Sequence, residues 1–222
     1  DYYNLLIDKE WVEEKRNLNP ESVEAEEVKE YVSMEEFGVY EYRESEIGDD
    51  SIVDTKWVYR GNSDGECTRA RIVARQYRWL EARDDIFAPA SMQSTGRLID
   101  LIACQTSQPT ATADVTRAFF HADQDEHLLV IPPKSWRQWR ERNGLPSTGH
   151  WVLKKWLYGQ RKAAFAWTNY FAVSLGSIGF ERDPAAPHFF CSRSRGIHLE
   201  SHADDIHLTG SMGELQKFEN DI

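Results

Sequence analysis

Cysteine is scarce in this chain. Cys67, Cys104 and Cys191 are isolated and odd in number, which argues against a disulfide framework or a zinc knuckle and suits a reducing compartment. Long apolar runs are missing as well. None approaches the roughly 20 residues that span a bilayer, and no stretch reads as a secretory signal. The expectation is an intracellular protein with no membrane partner. A basic surplus is the third absence: the net charge is −11, the wrong sign for a general nucleic-acid binder. The distribution narrows that exclusion. Residues 1–50 hold 17 acidic and 5 basic side chains, and the remainder holds 20 and 21. The acidic surplus therefore belongs to the first segment, and the nearly neutral body still has room for local Lys/Arg clusters. At 222 residues the chain can bury a sizeable core, as one large domain or two small ones.

The most informative stretch runs from Glu200 to Ser211, with the adjacent pair Asp204-Asp205 between short β-compatible runs. Neighbouring side chains on a strand point to opposite faces, so the two aspartates share a site only if the backbone turns at them. A plain solvated turn has the same appearance. A second carboxylate in a similar setting, Asp114 in Ala111-Thr112-Ala113-Asp114-Val115-Thr116, adds weight. Three carboxylates from two distant strands repel one another unless a cation joins them, and such a set can hold two Mg²⁺ ions for in-line phosphoryl transfer.

Elsewhere the pattern is mostly structural. Residues 1–25 are acidic with few apolar anchors and read as a mobile or loosely helical lead-in. Val28, Tyr31, Val32 and Met34 have helical spacing, with glutamates on the other face. Val53 to Arg60, a turn at Gly61-Asn62-Ser63-Asp64-Gly65, and Cys67 to Tyr77 read as a hairpin. Its second strand puts Arg69, Arg71, Arg75 and Val73 on one face, and Ala70, Ile72 and Ala74 on the other. Such a face suits phosphates, or is simply an arginine-rich solvent face. Trp136, Arg137, Trp139, Arg140 and Arg142 interleave rings and cations, as in a nucleic-acid platform or an amphipathic surface helix. His202 and His207 flank the aspartates without an established zinc-ligand spacing.

Several of these stretches, in this order, resemble the reverse transcriptase domain of copia-type long-terminal-repeat retrotransposons. Asp114-Val115-Thr116-Arg117-Ala118-Phe119 is similar to that family's D-V-x-x-A-F block. Leu157-Tyr158-Gly159 followed by Ala166-Trp167 resembles its L-Y-G-L-K-Q-A-x-x-x-W block, and His202-Ala203-Asp204-Asp205 stands where the family has Y-V-D-D. Arg69-Ala70-Arg71-Ile72-Val73-Ala74-Arg75 is close to its K-A-R-L-V-A-R pattern. The resemblance implies an α+β fold: the fingers and palm of a right-hand polymerase over residues 26–222, an antiparallel palm sheet packed on helices, the thumb missing. It implies RNA-directed DNA polymerisation, with Asp114, Asp204 and Asp205, and the backbone of Val115, at two Mg²⁺ ions or Mn²⁺ in their place. Arg69, Arg71, Arg75, Thr116, Phe119 and Gly159 are then expected at the nucleotide, with Phe119 excluding a ribose 2′-OH. Tyr158, Arg161, Lys162 and His202 are expected at template and primer. Expected partners are a dNTP, an RNA or DNA template with its primer, and the thumb, ribonuclease H and integrase regions of a parent polyprotein, in a cytoplasmic particle or the nucleus.

The chain departs from the family pattern at named places. His202-Ala203 replaces Tyr-Val, and Gln160-Arg161-Lys162-Ala163-Ala164-Phe165 replaces L-K-Q-A-P-R. The chain begins at Asp1 and runs only to Ile222, soon after the aspartate pair, which suggests a piece of a longer polyprotein or a degraded copy of one. The competing expectation is thus a catalytically inactive remnant that acts, if at all, as a binding module.

Overall fold

The computed structural model describes residues 17–44, 52–76, 86, 88 and 92–222. Most of the acidic lead-in, residues 1–16, lies outside the described residues, as does the end of the expected second hairpin strand at Tyr77. The chain divides into two compact units, Asp1–Ala82 with Asp123–Ala163, and Arg83–Ala122 with Ala164–Ile222. Sheets that are antiparallel except for the β2–β6 pair, together with separate helices, make the class α+β. Among the described residues no helix is long and apolar enough to cross a membrane.

The first unit opens with α1 (Pro20–Glu36). Asn19 caps it by accepting the Glu21 N–H at 3.0 Å, and Pro20, which lacks an N–H, takes the first helical position. The helix thus starts inside the segment expected to be a lead-in. Its expected division into an apolar and an acidic face also fails: Glu27 and Glu30 are buried. The reason at Glu27 is a partner, because the Tyr59 hydroxyl donates to its Oε1 at 2.5 Å. Burial first, and then this hydrogen bond, hold the Tyr59 phenol far above its ordinary pKa.

Strands β3 (Thr55–Gly61) and β4 (Cys67–Ala74) form the expected antiparallel hairpin. Asn62 Oδ1 accepts from the amides of Asp64 and Glu66, and Gly65 takes φ +77°, the freedom a glycine gives a turn. Ala70, Ile72 and Ala74 are buried, as their alternation predicts, while Arg69 is exposed and Arg71 half-buried. Tyr59, Cys67 and Ala70 pack with Val23 of α1. A second sheet has the order β1 (Tyr40–Arg43), β7 (His150–Leu153), β6 (Leu129–Val130), β2 (Ile52–Val53).

Helix α3 (Lys134–Arg142) carries the basic and aromatic residues. Its indoles pack inward: Trp136 is fully buried, edge-on to Trp151 at 5.1 Å, and Trp139 lies 5.4 Å from Tyr31. Arg140 stacks over the rings of Tyr42 and Trp136, and Arg137 donates to the Gly149 carbonyl at 3.2 Å. The interleaving of rings and cations, which would also suit a stacking platform, here builds a core and its cover.

The second unit is a five-stranded antiparallel sheet in the order β5 (Thr110–Asp114), β11 (Asp205–Thr209), β10 (Ile197–His202), β9 (Phe189–Ser192), β8 (Glu181–Arg182). Its two faces differ. Ile197, Leu199, Ile206 and Leu208 form the apolar face, covered by Trp167, Phe171 and Leu175 of α4 (Ala163–Ser177) and by Leu215 and Phe218 of α5 (Met212–Asp221). Helix α2 (Gln93–Thr106) lies against the other face, which is polar. There Asp100 is 3.4 Å from His207, and Gly96 leaves room for Glu200, whose Oε1 would be 2.8 Å from an added Cβ. Ser94, the expected cap of this helix, instead lies within its first turn, with Met92 at the cap position.

Candidate active site

The alternation along β5, β10 and β11 sorts the predicted residues. Ala111 and Ala113 pack toward the core, which leaves Thr112 and Asp114 on the opposite face. Ile206 and Leu208 do the same for Asp205 and His207. The register pairs Asp205 with Asp114 on one side and with His202 on the other. Three predicted residues from three strands therefore stand in one row at one end of the sheet, all of them exposed.

The hydrogen bonding says how close the two carboxylates are. The Val115 N–H donates to the Asp204 carbonyl at 2.9 Å. A bond between the residue after Asp114 and the residue before Asp205 makes Asp114 and Asp205 a non-hydrogen-bonded pair. In that kind of pair the Cβ atoms are roughly 4.5–5.5 Å apart, the shorter spacing, and like charges placed so are destabilising. Among the described residues, no side-chain hydrogen bond or ion pair engages either carboxylate.

Asp204 lies in the two-residue turn Ala203-Asp204 that joins β10 to β11. The turn is the one that the adjacent aspartates required. Ala203 has φ +55°, at a position that glycine usually fills in such hairpins. Arg117, three residues after Asp114, is also left-handed at φ +55°. Two non-glycine residues held in this region cost free energy, and such strain collects at functional sites. The Ala203 carbonyl accepts from the indole Nε1–H of Trp167 at 2.8 Å. The Thr116 carbonyl accepts from His121 Nε2 at 3.1 Å. Phe119 sits in the 3₁₀ turn Ala118–His121, half-buried against the core of this unit together with Val115. Among the described residues no group of three or more His, Cys, Asp or Glu side chains is arranged to hold a metal ion.

The remaining predicted residues belong to the first unit. The Arg71 guanidinium lies over the Tyr158 ring, 4.5 Å from its centroid. Arg75 is 3.5 Å from Asp54, and Arg69 is opposite Arg60 across the hairpin. Lys162 is paired with Asp125 at 2.6 Å and lies over the Trp156 ring. The Arg161 amide donates to Gln76 Oε1 at 2.9 Å. Gly159 has φ +83°, and a Cβ there would come within 2.3 Å of the Ala74 carbonyl oxygen. The end of β4 itself occupies that space, fastened by the Ala74 N–H bond to the Tyr158 carbonyl at 2.7 Å. Glycine is thus demanded by packing within the unit.

The hydrogen bond from Trp167 is not legible in the sequence, where this tryptophan is only the last letter of a motif and nothing local ties it to a turn 36 residues on.

Residues 44–222 match the family described as reverse transcriptase (RNA-dependent DNA polymerase). The chain is also 26% identical over 179 residues to the retrovirus-related Pol polyprotein from transposon TNT 1-94 of Nicotiana tabacum. That alignment takes in 75% of this chain and 13% of the relative, so the chain spans a small part of the relative's length.

Proposed function

We propose, for a chain that belongs to the reverse transcriptase (RNA-dependent DNA polymerase) family, that it adds deoxynucleotides to a primer 3′-OH as part of a copia-type retrotransposon polyprotein. Asp114 facing Asp205 across adjacent strands, with Asp204 in the turn beside them, is the observation that carries this reading. Carboxylate oxygens are the hard donors that Mg²⁺ takes, and a cation relieves the repulsion in the pair. Asp114, Asp204 and Asp205 would hold two Mg²⁺ ions, or Mn²⁺, with help from the backbone of Val115. Bound there, the cations supply charge neutralisation at the attacking 3′-oxygen and along the triphosphate.

The protein's own groups do the rest. The backbone N–H of Thr116 holds the triphosphate, and Phe119 excludes a 2′-OH. Arg69, Arg71 and Arg75 neutralise phosphate charge, with Arg71 foremost. Gly159 lies at the nucleotide, while Tyr158, Arg161, Lys162 and His202 position template and primer. In this reading the chain is the fingers and palm of a right-hand polymerase, preceded by an acidic lead-in. Template, primer, dNTP and the other polyprotein regions are its partners. Primer extension on a homopolymer RNA template with Mg²⁺ or Mn²⁺ tests it, with wild type extending and Asp204→Ala inert. Equal extension by both would refute the assignment.

One observation favours a second reading, a catalytically inactive remnant that acts as a binding module. The three aspartates share one end of a sheet but are not arranged as a ready metal-holding cluster. Folded protein that binds primer–template without extending it, even with downstream polyprotein sequence restored, would support that reading.

A further inference from the structure

The turn that carries Asp204 is held from two sides. The Val115 N–H reaches the Asp204 carbonyl, and the Trp167 indole N–H reaches the Ala203 carbonyl at 2.8 Å. Trp167 is 3% exposed. Its ring stacks on Phe171 at 5.3 Å and has His121 beside it at 6.1 Å. His121 in turn donates to the Thr116 carbonyl, two residues beyond Asp114. One side chain on α4 therefore bears on both aspartate-carrying segments, directly on the turn and through His121 on the chain after β5. Ala203 sits in a backbone region that alanine disfavours, so the turn depends on restraints from outside itself.

We infer that Trp167 is a positioning residue for Asp204, and that its N–H, more than its bulk, fixes the turn from which Asp204 reaches toward Asp114 and Asp205 when a cation gathers the three. This rests on reading the three aspartates as cation ligands. A buried indole N–H that points at a carbonyl is a fixed donor with no rotatable hydrogen, which suits it to setting the orientation of a turn.

The test uses the full chain and reads Mn²⁺ binding by electron paramagnetic resonance beside primer extension. Trp167→Phe keeps a ring and removes the donor. It should weaken Mn²⁺ binding roughly tenfold, the factor that about 1.4 kcal/mol produces, and lower kcat with little change in KM for dNTP. Phe171→Leu disturbs the stack, leaves the N–H, and should bind Mn²⁺ as wild type does. Asp204→Asn reports on the underlying reading. If it binds Mn²⁺ like wild type, that reading falls. If it loses binding while Trp167→Phe keeps it, the reading survives and the inference is overturned. Equal losses in Trp167→Phe and Phe171→Leu would assign the effect to packing and also overturn it. Should Trp167→Phe not fold, the wild-type protein still decides: the Trp167 indole N–H resonance is expected to shift on addition of Mg²⁺, and an unmoved resonance overturns the inference.

Discussion

Most of the cations predicted at the site in the first unit are paired, Arg69 opposite Arg60 being the exception, while among the described residues Asp114 and Asp205 of the second are not. In the first, several cations have a partner that accounts for them. Lys162 has Asp125, Arg75 has Asp54, Arg71 has the Tyr158 ring and Arg140 has two rings. In the second, two exposed carboxylates stand directly opposite one another on adjacent strands. The first arrangement lowers free energy by itself and needs no function to explain it. The second raises free energy, is flanked by two left-handed non-glycine residues, and is therefore the better marker of a site.

The sharpest way to break this comparison is Asp114→Asn. Nucleotide incorporation should fall on the order of 10⁴-fold, the scale on which members of a catalytic constellation act, while the melting temperature stays within a few degrees of wild type. A comparable loss of stability would make Asp114 structural. On the other side of the comparison, Trp136→Ala should lose roughly 3–5 kcal/mol in denaturant unfolding, because it empties the centre of the first unit's aromatic core. Nucleic-acid binding lost without loss of stability would return α3 to the role of a stacking platform.

Gly159→Ala should lose at least about 2 kcal/mol, since it meets both a left-handed backbone and the Ala74 carbonyl. Unchanged stability would mean that the contact with the end of β4 is not what demands glycine at this position. Alkaline pH separates the units next. Burial first raises the phenols of Tyr31, Tyr40 and Tyr59, all in the first unit, with nearby glutamates adding to it. Their folded pKa lies above the unfolded one, so the stability they contribute is fully present below about pH 10 and is lost as pH rises beyond it. Hydrogen exchange should show the first unit opening before the second; simultaneous opening would contradict this. The smallest effect is Asp205→Asn. By ending a like-charge opposition it should stabilise the second unit by about 0.5 kcal/mol in metal-free buffer, and a loss of stability would mean that the pair is not repulsive.

Local pattern made much of this legible. The alternation in Arg69–Arg75 named the buried face of β4 correctly, and the turn residues around Gly65 located its hairpin. The adjacent aspartates required a turn, and the chain has one there. Where the reading went astray, as at Glu27, or left two alternatives open, as at Trp136–Arg142, a distant residue decided. Glu27 is buried because a tyrosine 32 residues away donates to it, and the α3 indoles turn inward because Trp151 and Tyr31 are there to receive them.

The sequence by itself determined the family, the order of the motifs and the residue types at the candidate site, because side-chain chemistry and strand periodicity are properties of short stretches. Only the tertiary structure decided that Asp114 faces Asp205 in the close kind of pair, that Gly159 yields its space to β4, and that Trp167 holds the Asp204 turn. Each of these joins residues far apart in the chain, and such pairings follow from sheet register and core packing, which no short stretch encodes alone.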